Sequence, residues 1–169
     1  GQLILKADSI AILTEASRQR KIAELLEGPF GTNAFVIQPF ARGQVKQELL
    51  KLGWPAEDFA GYTPGTPHQI SLDESGWGMR DYQRKAVDKF WEGGSGVVVL
   101  PCGAGKTIVG AAAMSVAQTS TLILVTNTVS ARQWKAELLK RTSLTEDEIG
   151  EYSGSAKEVK PVTIATYQI

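Results

Sequence analysis

Pro101-Cys102-Gly103-Ala104-Gly105-Lys106-Thr107 holds the densest set of residues able to do chemistry in this chain. Two glycines flank a small residue, and a lysine and a hydroxyl follow at once. A turn of this kind points successive backbone N–H groups into one concavity, and a helix starting directly after it adds its own unpaired N–H groups. The result is a cradle for phosphate. Lys106 would bring a positive charge to the β- and γ-phosphates of a nucleoside triphosphate such as ATP. The Thr107 hydroxyl would offer an oxygen to a nucleotide-bound Mg²⁺. Gly103, Ala104 and Gly105, with Cys102 in the same turn, would supply the surrounding backbone. The strict motif has a glycine at position 100, where this chain has Leu100. The neighbouring elements therefore have to carry the assignment.

Such a loop needs a strand before it and a helix after it. Residues 97–100 read as a buried strand, and 106–118 as a helix of small residues able to lie close on a sheet. Residues 121–126 and 162–165 read as two more strands. Between them, 131–141 reads as a helix presenting Trp134 and Leu138, and Thr145-Glu146-Asp147-Glu148 as a capping box. Strand–helix alternation predicts a parallel sheet. Residues 80–91 predict a helix with Tyr82, Ala86, Phe90 and Trp91 toward the core, closed by Gly93-Gly94.

Residues 61–78 are rich in Gly and Pro and carry one apolar–polar alternation, 68–72, which suits a linker holding a single strand. Ahead of it, 3–6 and 10–13 read as strands of a hairpin, 16–27 as a helix, 34–38 as a strand and 41–53 as a helix stopped by Gly53-Trp54-Pro55. The expected class is α/β throughout. A small α/β domain over 1–75 is followed by a P-loop lobe with a parallel sheet over 76–169.

Bulk properties narrow the partners. Lys+Arg and Asp+Glu each number 18, so the net charge is zero and a broadly basic nucleic-acid clamp is excluded, while a local basic strip is not. One cysteine rules out an internal disulfide and suits a reducing, cytoplasmic setting. No apolar run approaches the roughly 20 residues of a membrane span, so no membrane partner is expected. His68 is the only histidine and has no cysteine near it, which argues against a metal site. Trp54 and Trp77 are placed to stack on bases or, more simply, to pack at the domain junction.

Polar residues fall at useful places around the loop. Gln83 lies about 20 residues ahead of it, and its amide matches the donor–acceptor edge of adenine. Thr126 to Trp134 and Thr163 to Gln168 offer hydroxyls, amides and Arg132 after predicted strands. Ligands of open α/β sheets bind at the carboxyl ends of strands. Arg80-Asp81-Tyr82-Gln83, the phosphate loop, Thr126 to Trp134 and Thr163 to Gln168 together resemble the Q motif and motifs I, Ia and Ib of superfamily 2 helicases. Residues 97–107 and 121–154 resemble the bacterial branch of the XPB family of DNA repair helicases.

That resemblance implies a RecA-like lobe preceded by a damage-recognition domain. It implies adenine held by Gln83 and Arg80, and phosphates by Gly103, Ala104, Gly105 and Lys106, with Thr107 on Mg²⁺. It implies a DNA-backbone track along Thr126, Thr128, Arg132, Gln133 and Thr166. The partners would be DNA and a repair protein such as a nuclease, at the nucleoid. The family's Asp-Glu-x-His box is not found at the end of any predicted strand, so the chain is expected to be a piece that binds nucleotide without hydrolysing it. Two other readings stay open: a helicase-like subunit of a restriction enzyme, and a non-catalytic DNA-damage binder.

Overall fold

The computed structural model describes residues 1–168 and divides into two compact units, Gly1–Thr63 and Pro64–Ile169. The division falls earlier than composition suggests. Residues 64–75 belong to the second unit because they are laced to it. Pro67 bridges to Thr119 and Leu72 to Thr142, and Ile70, 1% exposed, sits in that unit's core. The side chain of Gln118 is bonded to the backbone of Ile70 at both its N–H and its carbonyl.

The first unit runs β1 (Ile4–Lys6), α1 (Ile10–Arg18), α2 (Arg20–Ala23), β2 (Leu26–Pro29), β3 (Ala34–Ile37) and α3 (Arg42–Lys51), with a 3₁₀ turn at Pro39–Ala41. Its sheet is antiparallel in the order β1-β3-β2. Ala16, Ile22, Ile37, Val45 and Leu49 form the core beneath it. The hairpin expected over 3–13 is not formed. Ile10–Leu13 opens a helix whose buried residues, Leu13 and Ala16, are three apart, while Ile10 and Ile12 face water. The expected helix over 16–27 breaks at Gln19, which is extended, and its last residues become β2. Gly28 and Pro29 are tolerated there because β2 is an edge strand, where a missing N–H costs no ladder bond.

Behind α3, the segment after Gly53 is tied back by charge. Arg42 grips Asp58 through Nε and Nη2 at 2.9 and 2.8 Å, Lys46 Nζ reaches the same carboxylate at 2.9 Å, and Arg42 Nη1 donates to the Gly61 carbonyl. The guanidinium also lies 4.7 Å from the centre of the Tyr62 ring. Arg42 first, then Lys46, holds the Asp58 carboxyl well below the usual carboxylate range.

The second unit runs α4 (Asp81–Gly93), α5 (Lys106–Ala117), β4 (Thr121–Val125), α6 (Thr128–Arg141), β5 (Ile149–Tyr152) and β6 (Val162–Thr166). The sheet is parallel in the order β4-β6-β5, as the alternation predicted. Leu138, Ile149, Val162 and Ile164 are essentially inaccessible to water. Full burial of one such side chain contributes about 1.5–3 kcal/mol. Strand β6 is buried along its whole length because it is central.

Two expectations fail here. Residues 97–100 form no ladder. Val98 and Leu100 pack on α4 and α5 near Val87 and Val109, but Val97 and Val99 are 88% and 85% exposed. In α4 the inward residues are Gln83 and Val87, while Tyr82 and Trp91 are exposed. Among the described residues no helix is long and apolar enough to cross a membrane.

Candidate nucleotide site

The phosphate-type loop is shaped by two left-handed glycines, Gly103 at φ 76° and Gly105 at φ 78°. L side chains rarely adopt this region, so the spacing of the glycines is a backbone requirement. Helix α5 starts at Lys106, and its first N–H groups have no carbonyl one turn back. The Pro101 carbonyl accepts from the Ala104 N–H at 3.3 Å and from Lys106 Nζ at 3.1 Å. The lysine thus lies folded over the loop and is exposed. Thr107 follows it, half-buried, in the first turn.

The N-terminus of α4 holds this loop from one side. Gln83 is the N3 residue of α4, and its Oε1 accepts from the Arg80 N–H at 2.9 Å, half of a capping box. Its Nε2 donates to the Ala104 carbonyl at 2.9 Å. The Tyr82 hydroxyl donates to the same carbonyl at 2.9 Å and accepts from Arg80 Nη1 at 3.0 Å. Gln83 is 2% exposed, so the residue expected to read adenine is built into the wall of the loop. One lone pair of Oε1 and one N–H of Nε2 stay outside these bonds. Arg80, Tyr82, Leu100, Pro101, Cys102, Gly103 and Ala104 line an open cavity of about 410 Å³ beside it. Cys102 is a free, exposed thiol at its rim.

The second polar set gathers at the carboxyl edge of the parallel sheet. Val125 of β4 is in register with Thr166, the last residue of β6, so Thr126, directly after β4, lies at the same edge. Asn127 caps α6, accepting from the Ser130 N–H at 2.8 Å. Thr126 is exposed, Thr128 half-buried, and Arg132 and Gln133 exposed on α6. Thr166 differs: it is 8% exposed, and the neighbouring Tyr167, 67% exposed, presents itself instead. Thr166 is thus the least accessible of the five residues expected to line the DNA track.

No group of three or more metal-ligating side chains occurs among the described residues. An ion at Thr107 would therefore depend on the phosphates. His68 Nε2 lies 3.2 Å from Glu148 Oε1, off hydrogen-bond alignment. Tyr82, expected toward the core, is exposed and lines the cavity instead. Its position one residue before Gln83, on a helix N-terminus aimed at the loop, was the available signal.

A left-handed glycine loop opening a helix, seated on a second helix and flanked by a parallel sheet, defines a P-loop protein of the α/β class. The chain belongs to the family described as type III restriction enzyme, res subunit, whose model matches residues 77–169. It is 65% identical over 167 residues to the DNA 3'-5' helicase XPB of Kineococcus radiotolerans, covering 99% of this chain and 30% of that protein. It is 64% identical over 159 residues to the DNA 3'-5' helicase XPB of Mycobacterium tuberculosis, covering 94% of this chain and 29% of that protein. Likeness extends to the general transcription and DNA repair factor IIH helicase/translocase subunit XPB of Dictyostelium discoideum, 31% identical over 174 residues, covering 97% of this chain and 21% of that protein. The chain spans about 30% of the length of the bacterial relatives it matches.

Proposed function

We propose that this chain is part of an ATP-dependent DNA helicase or translocase acting in DNA repair, and that residues 80–107 are its nucleotide pocket. The observation that carries the reading is the seated loop. Two left-handed glycines and an unpaired helix start leave backbone N–H groups for phosphate, and Lys106 stands beside them. The XPB helicases that match nearly the whole chain support the same activity.

In this reading the loop backbone and Lys106 hold the β- and γ-phosphates, and Thr107 holds Mg²⁺ through the nucleotide. Arg80, which lines the cavity, meets the base, and Gln83, buried behind the loop, would reach it through the one N–H and one lone pair that its two bonds leave. Hydrolysis of ATP in the whole protein would supply the free energy for strand movement. Thr126, Thr128, Arg132 and Gln133 would carry phosphates of DNA at the sheet edge, contacts that position a strand without reading its sequence. The first unit, Gly1–Thr63, would serve damage recognition. Its Lys and Arg equal its Asp and Glu in number, so any affinity for DNA would come from something other than bulk electrostatics. The setting is cytoplasmic, at the nucleoid, with DNA and a repair nuclease as partners.

Titration with a fluorescent ATP analogue and Mg²⁺ tests the pocket. The chain should bind it and Lys106→Ala should abolish binding. Equal binding by both would remove Lys106 from the site. The chain alone should show no DNA-stimulated hydrolysis, because it carries no Asp-Glu-x-His box. Turnover by the chain would refute that half of the reading.

A further inference from the structure

We propose that Tyr82 is a positioning residue for the phosphate loop, its hydroxyl clamping the Ala104 peptide while taking the Arg80 guanidinium as its own donor. The proposal rests on the nucleotide reading above and names a residue in that site with a part not otherwise assigned.

Two donors converge on one carbonyl. Tyr82 Oη and Gln83 Nε2 each lie 2.9 Å from the Ala104 oxygen. A peptide unit is planar and, when trans, holds its C=O and the next N–H on opposite sides. Fixing the Ala104 oxygen therefore also fixes the direction of the Gly105 N–H. Gly105 is left-handed and has no Cβ to resist rotation, so the loop's own chemistry does not hold this plane. One donor would leave the plane free to swing about a single bond; two separated donors do not.

The phenol is poorly suited to a plain packing role. Tyr82 is 38% exposed, and the inward face of α4 is supplied by Gln83 and Val87. What Tyr82 contributes beyond phenylalanine is the hydroxyl, and both its donor and its acceptor capacities are in use. A cationic donor polarises the hydroxyl and strengthens its bond onward to Ala104. Arg80, Tyr82 and the loop peptide thus form one network along the wall of the 410 Å³ cavity.

Tyr82→Phe tests this, since it keeps the ring and removes the hydroxyl. In the chain without nucleotide, amide hydrogen exchange over 102–106 should rise several-fold, with exchange over 84–93 unchanged. A packing role would instead loosen α4. Affinity for a non-hydrolysable ATP analogue with Mg²⁺ should fall about threefold to tenfold, the range for one lost hydrogen bond. Unchanged exchange over 102–106 overturns the clamp. Analogue binding that Lys106→Ala abolishes but Tyr82→Phe leaves intact overturns this proposal alone. If the wild-type chain binds no analogue, the nucleotide reading falls and this proposal with it.

Discussion

A Cβ placed on Gly105 would lie 2.5 Å from Gln83 Nε2, closer than side-chain atoms approach one another. The same residue sits at φ 78°. Gly105→Ala therefore meets a steric block and a backbone penalty together, whereas Gly103→Ala, at φ 76° with open space around it, meets only the penalty. Strain of the second kind costs about 1–3 kcal/mol. In urea unfolding of the second unit, Gly105→Ala should be the more destabilising of the two. It should also weaken ATP-analogue binding more than tenfold. Equal unfolding midpoints for the two variants would show that Gln83 is not seated where the structure puts it.

Gln83 serves two backbone groups at once, one of them buried, so its amide cannot be replaced by size alone. Gln83→Ala leaves the Arg80 N–H without its acceptor and the Ala104 carbonyl with one donor instead of two. An unsatisfied buried group costs about 1–3 kcal/mol. Gln83→Glu keeps an acceptor for Arg80 but turns a carboxylate toward the Ala104 oxygen. The glutamate variant should therefore lose more nucleotide affinity than the alanine variant, relative to its loss of unfolding stability. Titration and urea unfolding of both chains check the order.

The loop and its flanking helix were legible because glycine spacing and a lysine–threonine pair are local signals. The parallel sheet was legible from strand–helix alternation. What the sequence hid depended on neighbours. Residues 97–100 have the composition of a buried strand, yet strand identity requires a partner, and Val97 and Val99 face water. Strand β5 escaped notice because Ile149-Gly150-Glu151-Tyr152 has too few apolar residues to announce itself. Ile10–Leu13 shows the opposite failure: a four-residue apolar run suits strand or helix equally, and packing through Leu13 and Ala16 decided it. Within the site, the residue types pointed to Gln83, but its seat under Ala104 and the matching bond from Tyr82 exist only once α4 is placed.

Gly110 faces Trp134 across the α5–α6 contact, and an added Cβ would come within 2.6 Å of the indole ring. Two effects compete. Alanine in a helix interior gains about 1 kcal/mol over glycine. Overpacking typically costs about 1–3 kcal/mol. Trp134 is only half-buried, so part of the clash can relax. Gly110→Ala should be destabilising by about 1 kcal/mol, and Gly110→Ala combined with Trp134→Leu should recover that loss. A single variant more stable than wild type in thermal unfolding would mean that propensity outweighs the contact.

The Asp58 cluster predicts an acid-sensitive first unit. Arg42 and Lys46 hold the carboxyl well below the usual carboxylate range in the folded state. In the unfolded chain it titrates near its ordinary value of about 3.9. A depressed folded pKa means the unfolded state takes up protons first as pH falls. The stabilisation is therefore fully present above about pH 4 and is lost progressively below it. Asp58→Asn should lower the melting temperature of the first unit at neutral pH. The gap from wild type should narrow as pH drops below about 4. Three hydrogen bonds accompany the charges, so added salt should reduce the gap without erasing it. Melting curves of both chains across pH check the sign: a gap that widened in acid would place the carboxylate outside the grip of Arg42.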